Sequence, residues 1–110
     1  MLENSQFQCL ADAYLEALVN EIEAKDAEGV LDAEIEQGTL NIILPSGKHY
    51  VVSKHAPSKQ LWLSSPISGG LHFVYHEAHS AWELTDGRKL CTVLAEELGA
   101  ATGLEFRFAS

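Results

Sequence analysis

Two stretches of the chain carry hydrophobic residues at the three- and four-residue steps of an amphipathic helix. The first predicts a helix from about residue 5 to about residue 25, with Asn4 and Ser5 available as N-caps. Its hydrophobic stripe comprises Phe7, Leu10, Ala11, Tyr14, Leu18 and Ile22. The second predicts a helix from about residue 88 to about residue 101, which Gly103 would end.

Between these helices the hydrophobic period shortens to two, which indicates half-buried strands. Six short strands are predicted, over residues 30–36, 39–44, 49–53, 60–64, 71–75 and 81–84. The connections between them are too short for parallel crossovers, so we expect antiparallel neighbours. Hydrophobic and charged residues also alternate over residues 104–108, which suggests a last strand or a strap across the helices.

This order of elements predicts an α+β fold: a two-layer sandwich with both helices on one face of an antiparallel sheet of about six strands. Residues 1–110 are interpreted as a single domain. We expect no membrane partner, because no hydrophobic run is long enough for a membrane helix and no signal peptide is recognisable. Cys9 and Cys91 lack CxxC spacing and are interpreted as small buried residues in a reducing cytoplasm.

The formal net charge of −9 is concentrated in the first third of the chain. Residues 1–36 contain ten acidic residues and a single base, Lys25, whereas residues 37–110 contain six acids and six bases. A nucleic-acid partner is excluded, since it would require a basic surface. The charge favours binding of cations or of a basic protein surface.

Eight of these acids are predicted to form one ridge. Four helical acids fall within about 80° of one another on a helical wheel, away from the hydrophobic stripe. One more lies in the loop, and three share the solvent face of the first strand. The candidate metal ligands are Asp12, Glu16, Glu23, Asp26, Glu28, Asp32 and Glu34, and the candidate partner contact is Glu36. Oxygen-only ligands suit iron, Ca²⁺, Mg²⁺ or Mn²⁺ in shallow surface sites. The alternative is a solvated face that only confers solubility.

Trp62 is predicted to lie on the opposite side of its strand from Leu61 and Leu63. If the leucines face the helices, Trp62 is exposed on the bare face of the sheet, as an interface anchor would be. The alternative is a tryptophan shielded by neighbouring strand side chains. Trp82 is expected in the core. The other predicted partner contacts are Lys54, Lys59, Gln60, Ser64 and His72.

Enzyme signatures are absent from the sequence. There is no HExxH motif, Cys-His cluster, GxSxG elbow or phosphate-binding loop. The five histidines are interpreted as surface residues, with His72 as the exception. We therefore expect a binding protein rather than an enzyme.

Residues 53–73, SKHAPSKQLWLSSPISGGLHF, resemble the frataxin signature, which is close to N-K-Q-x-P-x-K-Q-I-W-L-S-S-P-x-S-G. Ser53 and His55 depart from it, where the signature has Asn and Gln. The α-β-α order and the acidic first helix and strand also match, so the resemblance covers essentially the whole chain. A start directly at the helix, without a transit sequence, is similar to the bacterial, CyaY-type branch and implies a cytoplasmic protein.

The resemblance implies an iron-binding accessory protein of iron–sulfur cluster assembly. Such proteins bind Fe²⁺ and Fe³⁺ weakly and dock on the complex of cysteine desulfurase and scaffold protein. The family's metal residues correspond to Glu16, Glu23, Asp26, Glu28, Asp32 and Glu34. We expect a monomer and leave iron-dependent oligomerisation and the binding of other divalent cations open.

Two alternatives compete with this interpretation. The first is a ferroxidase or iron-storage protein that uses the same carboxylates, although the sequence lacks the Glu-x-x-His pairs of a di-iron core. The second is an acidic adaptor without any metal function.

Overall fold

The computed structural model describes residues 3–108, which form two helices and six strands. The helices are α1 (Asn4–Lys25) and α2 (Leu90–Thr102). The strands are β1 (Asp32–Glu36), β2 (Thr39–Ile43), β3 (His49–His55), β4 (Gln60–Ser65), β5 (Gly69–His76) and β6 (Ala81–Glu83). A short 3₁₀ turn, Ala56–Ser58, joins β3 to β4.

The strands form one antiparallel sheet in the order β1-β2-β3-β4-β5-β6. Each strand therefore pairs with its neighbours in sequence. The turn between β1 and β2 consists of Gln37 and Gly38, both in the left-handed conformation, at φ 52° and 75°. Two left-handed residues match the twist of adjacent strands in a tight hairpin. The predicted two-layer α+β sandwich is confirmed.

The hydrophobic core lies between the two helices and one face of the sheet. Every second residue of the central strands is buried there, which is the pattern that strand alternation requires. The largest fully buried side chains include Trp82, Tyr50, Phe7 and Phe73. Trp82 lies against the rings of Phe7, Tyr14 and Tyr75, as expected of a core tryptophan. No helix in residues 3–108 has the length and hydrophobicity to span a membrane.

The two ends of the described chain differ from their predicted structures. Helix α1 begins at Asn4, so Glu3 is the N-cap. The Glu3 N–H donates a hydrogen bond to Gln6 Oε1 at 3.0 Å. The expected cap at Asn4 or Ser5 is therefore wrong. Residues 104–108 form no strand, but Phe106 is buried and the Arg107 N–H donates to Glu21 Oε2 at 3.0 Å. The tail is thus a strap against the helix, the second of the two predicted alternatives.

Candidate functional site: the acidic ridge and the outer face

Helix α1 packs beside β1, the edge strand, and together they carry the acidic surface. The helical acids face solvent because the opposite side of α1 is buried in the core. In β1, Ala33 and Ile35 face the helices. The acids that alternate with them, Asp32, Glu34 and Glu36, therefore point away. We call seven exposed acids the acidic ridge: Asp12, Glu16, Glu23, Glu28, Asp32, Glu34 and Glu36.

Asp26 does not belong to this exposed set, contrary to the prediction. Only 8% of the residue is accessible. Its two carboxylate oxygens accept hydrogen bonds from the N–H groups of Val30 and Leu31, at 2.8 and 2.7 Å. Asp26 therefore fastens the loop between α1 and β1, a structural role in which both oxygens are already engaged.

Asp12, at the N-terminal end of the ridge, is neutralised by Lys54. The Lys54 Nζ lies 2.6 Å from Asp12 Oδ1 and donates to Gln8 Oε1 at 2.7 Å. Lys54 pairs with the buried Leu61 across β3 and β4 and so extends toward α1. Lys54, predicted as a partner contact together with Trp62, does not share its face, because alternation places it on the other side of the sheet. Lys54 instead ties β3 to the helix.

The remaining ridge acids have no ion-pair partner among residues 3–108. Glu23, Asp26 and Asp32 line one open depression where α1 meets β1, together with the backbone of Gly29. Carboxylates crowded without bases repel one another and attract cations. In this depression, acids from the helix and from the strand line the same concave surface.

The face of the sheet opposite the helices, which we call the outer face, carries most of the predicted partner contacts. Cross-strand pairing aligns one row of residues from the edge strand to β5, in the order Glu36, Thr39, Ser53, Trp62 and His72. Gln60 and Ser64 lie on the same face, because they alternate with the buried leucines of β4. Lys59 precedes β4 in a left-handed conformation, at φ 54°. The outer face thus joins the acidic ridge to Trp62 without interruption.

Trp62 is half-buried rather than fully exposed. Its ring is sandwiched between the imidazoles of His55 and His72, with ring centroids 3.8 and 4.3 Å away and nearly parallel planes. Trp62 Nε1 donates to Gln60 Oε1 at 2.8 Å. The predicted orientation toward the outer face is correct, and the alternative, shielding by strand neighbours, is also partly correct. The result is a row of three stacked rings on the outer face, in which both faces of the Trp62 ring are covered.

The serines after Trp62 have separate roles. Ser64 is exposed on the outer face, whereas Ser65 is buried. Ser65 Oγ accepts from the N–H groups of Ile67 and Ser68, both at 3.0 Å, and donates to Glu97 Oε1 at 2.5 Å. Ser65 therefore secures the turn after β4 and attaches it to α2.

Two interpretations of the sequence missed features of the tertiary structure. Cys91 is buried as expected, but Cys9 is exposed beside Tyr75 in an open groove along α1, so that part of the prediction is wrong. Four histidines are exposed, including His72, which was expected to be the exception, and His55 is half-buried. However, His76 and His79 converge with Glu83, an arrangement that no spacing rule had indicated.

The comparisons with known proteins identify the family. Residues 1–104 match the Frataxin-like domain. This chain belongs to the frataxin-like family. It is 33% identical over 109 residues to the mitochondrial frataxin-like protein of Leishmania donovani, and this covers 93% of the chain and 58% of the relative. It is 34% identical over 95 residues to the mitochondrial frataxin homolog of Saccharomyces cerevisiae, covering 83% of the chain and 53% of the relative. The chain thus spans little more than half the length of these relatives.

Solved frataxin structures superpose on the fold. Frataxin from Psychromonas ingrahamii matches with a TM-score of 0.87 over 99% of this chain and 100% of that chain, at 19% identity. At that identity it shows the fold alone. The trimeric frataxin of Saccharomyces cerevisiae, complexed with ferrous iron, matches with a TM-score of 0.75 at 32% identity, over 86% of each chain.

The expected location is not supported. The curated relatives at 33% and 34% identity are mitochondrial proteins, so the prediction of a cytoplasmic protein is wrong. Assignment to the bacterial branch stays a prediction, because the bacterial neighbour shares only the fold. Frataxin-like proteins are iron-binding and linked to iron–sulfur assembly, in agreement with the function that the signature implied.

Proposed function

We propose that this chain is an accessory protein of iron–sulfur cluster assembly that binds iron weakly on the acidic ridge. We further propose that its outer face docks on the complex of cysteine desulfurase and scaffold protein. One observation supports the proposal: the row from Glu36 through Trp62 to His72 lies on one face of the sheet, so the strand acids of the ridge are continuous with the aromatic surface. A single partner could therefore contact both.

The chemistry of the ridge supports iron as its ligand. Its donors are carboxylate oxygens, which suit hard cations, and they are exposed rather than enclosed in a cage. Solvated ligands on separate elements imply weak, exchangeable binding. The yeast frataxin complexed with ferrous iron is 32% identical to this chain, which adds support for iron among the cations that the ridge could hold.

The outer face has the features of a docking surface. Trp62 is held in place by two imidazoles and by Gln60, so little side-chain entropy is lost when a partner covers it. Tryptophan surrounded by polar residues is typical of an interface hot spot. The adjacent negative ridge would steer the chain toward a basic partner surface.

Iron binding is tested with the triple variant Glu23→Gln, Asp32→Asn and Glu34→Gln. Anaerobic titration calorimetry with Fe²⁺ should show at least tenfold weaker ridge binding than in the wild type. The matched control, Asp86→Asn with Glu96→Gln and Glu105→Gln, removes the same charge from exposed acids outside the ridge and should bind as the wild type does. Equal weakening in both variants, or in neither, would refute the ridge as an iron site.

Docking is tested by surface plasmon resonance against the assembled desulfurase–scaffold complex of the same organism. Trp62→Ala should weaken binding by about 30-fold, the equivalent of about 2 kcal/mol. Ile67→Ala, which removes a hydrophobic side chain that is 64% exposed in the β4–β5 turn, serves as the control. The association rate of the wild type should also fall as salt rises to physiological strength. Unchanged affinity of the Trp62 variant would refute the docking surface.

The oligomeric state forms a separate part of the proposal. We infer that the chain is a monomer without iron and associates when iron is added, because ridge repulsion would oppose contact between copies until cations screen it. The yeast frataxin with ferrous iron is trimeric, which supports this inference. Sedimentation velocity with and without Fe²⁺ tests it, and an unchanged sedimentation coefficient would refute it.

A further inference from the structure

The hairpin of β5 and β6 brings two histidines and a carboxylate together at the edge of the sheet opposite the ridge. One potential ligand atom from each of His76, His79 and Glu83 lies within 4.8 Å of the others. His79 Nδ1 is 2.9 Å from Glu83 Oε2, and the rings of His76 and His79 are 5.9 Å apart. Among residues 3–108 this is the sole group of three such ligands.

The hairpin geometry explains how residues seven positions apart meet. His76 pairs with Ala81 across the hairpin, and alternation places Glu83 on the same face as Ala81. The turn is closed by a hydrogen bond from the His79 N–H to the His76 carbonyl at 3.1 Å. Ser80, in the left-handed conformation at φ 49°, then directs the chain back into β6. This brings the His79 side chain over the outer face to Glu83.

Glu83 is the unusual member of this group. Its side chain is only 8% exposed, and its single side-chain hydrogen-bond partner among residues 3–108 is His79, which is 60% exposed. A buried carboxylate is costly unless a positive charge compensates it, and no lysine or arginine in the described chain forms an ion pair with Glu83. A bound cation would supply that charge. The two exposed histidines would provide its route from solvent.

The donor set selects the kind of cation. Two imidazole nitrogens and one carboxylate oxygen suit Zn²⁺, Fe²⁺ and their neighbours in the first transition row, whereas Mg²⁺ and Ca²⁺ prefer oxygen alone. Ligands of tetrahedral Zn²⁺ lie about 3.4 Å from one another, given metal–ligand distances of about 2.1 Å. The ligand atoms here lie within 4.8 Å of one another, and small rotations of the exposed histidine side chains would bring them to the shorter distance. Three protein ligands leave a position for water, so the ion would be exchangeable.

We propose that His76, His79 and Glu83 form a binding site for one divalent transition-metal ion, with Zn²⁺ as the reference ligand. The site differs from the ridge in chemistry, because it contains nitrogen donors. It also differs in place: β6 and β1 are opposite edges of the sheet, about 24 Å apart at the usual strand spacing. The two sites therefore bind independently, and this inference does not rest on the proposed function.

Titration with Co²⁺, followed by its visible absorption bands and by competition with Zn²⁺, tests the site. His76→Gln with His79→Gln should weaken Co²⁺ binding at least tenfold and abolish the nitrogen-ligand bands. The control His49→Gln removes an exposed histidine that belongs to neither this site nor the outer-face row and should remain within twofold of the wild type. The ridge variant Glu23→Gln, Asp32→Asn and Glu34→Gln should likewise retain the bands.

Thermal unfolding provides a second measurement that does not depend on absorption. Zn²⁺ should raise the Tm of the wild type, since an ion that binds only the folded state stabilises it. The rise should disappear in the His76→Gln, His79→Gln variant and persist in the ridge variant. Co²⁺ affinity and a Zn²⁺ shift in Tm that are unchanged in the His76→Gln, His79→Gln variant would overturn the proposal, as would equal losses in the His49→Gln control.

Discussion

At the scale of single residues, the two tryptophans differ because strand alternation points one into the core and the other toward the outer face. Trp82 is 1% exposed and surrounded by aromatic rings. Trp62, on the outer face, contacts the two histidine rings that flank it. The same side chain therefore makes different contributions to stability and to recognition in the two places.

Replacement of each tryptophan by alanine should separate these contributions. Trp82→Ala should lower the free energy of unfolding by about 3–5 kcal/mol, because it leaves a large cavity in the core. Trp62→Ala should cost about 1–2 kcal/mol, since it removes stacking and partial burial without creating an enclosed cavity. Urea unfolding followed by circular dichroism measures both. Equal losses of unfolding free energy in the two variants would show that Trp62 is as well covered as Trp82 in the free protein.

Tyr50 combines complete burial with an unsatisfied polar group. The residue is 0% exposed, and its hydroxyl has no hydrogen-bond partner in the part of the chain that the structure describes. Burial raises the pKa of Tyr50 to about 12 from the ordinary value of 10.0, and the charge of Glu97 acts in the same direction. Burial also raises the pKa of Tyr14. Both tyrosines thus favour the protonated form in the folded state.

Alkaline pH should destabilise the protein through these groups. Because the folded pKa exceeds the unfolded value, the contribution of Tyr50 is complete below pH 10.0 and is lost as pH rises toward about 12. Tyr50→Phe should leave stability at pH 7 equal or higher by about 1 kcal/mol, as a buried hydroxyl without a partner is removed. Between pH 10 and 12 the variant should lose less stability than the wild type by about 1.4 kcal/mol per pH unit. Parallel pH profiles of the two proteins would contradict this assignment.

At the scale of elements, the connection between α1 and β1 depends on one carboxylate. Asp26 accepts two backbone N–H groups across a loop that contains a left-handed Gly29, at φ 68°. These bonds hold the amides of Val30 and Leu31, which explains why β1 starts at Asp32 and not at the predicted residue 30. The loop in turn fixes how the acids of helix and strand meet.

Asp26→Ala should therefore lower the free energy of unfolding by about 2–3 kcal/mol, since charge-assisted bonds are lost and N–H groups remain buried. Asp26→Asn, which retains one acceptor oxygen, should cost about half as much. Glu28→Ala, an exposed change in the same loop, should stay within about 0.5 kcal/mol of the wild type. If all three variants unfold at the same denaturant concentration, Asp26 does not stabilise the loop.

At the scale of the whole molecule, the net charge of −9 comes from residues 1–36, which include α1 and β1. Asp12 is paired with Lys54, but no other ridge acid forms an ion pair within residues 3–108. Their mutual repulsion opposes folding at low ionic strength. The same unbalanced charge is what the proposed cation and partner would exploit, so stability and function compete for this surface.

Salt should therefore stabilise the wild type. The Tm should rise between about 10 and 150 mM NaCl. Over that range the Debye length, the distance over which charges interact, falls from about 30 to about 8 Å. The variant Glu23→Gln, Asp32→Asn and Glu34→Gln should have a higher Tm than the wild type at low salt and a smaller response to NaCl. Differential scanning calorimetry measures both. A wild type insensitive to salt would mean that the ridge acids do not repel one another appreciably.

Features that depend on local periodicity follow from the sequence alone. Period-two alternation places Leu61 inward and Trp62 outward whatever packs nearby, and the short connections impose an antiparallel meander. The shift in hydrophobic period located both helices to within a few residues of their observed ends. The uneven distribution of acids likewise identified the charged side of the molecule before its shape was known.

Which side chains have partners depends on how the chain folds in space. The helical wheel placed Asp26 on the exposed face, but the chain turns at the end of α1 and brings two amides onto its carboxylate. Lys54 reaches Asp12 across 42 residues of sequence. His76, His79 and Glu83 meet because a hairpin folds back over its own outer face. Hydrogen bonds and ion pairs need contact in space, and one-dimensional spacing encodes such contact only within a single helix or strand.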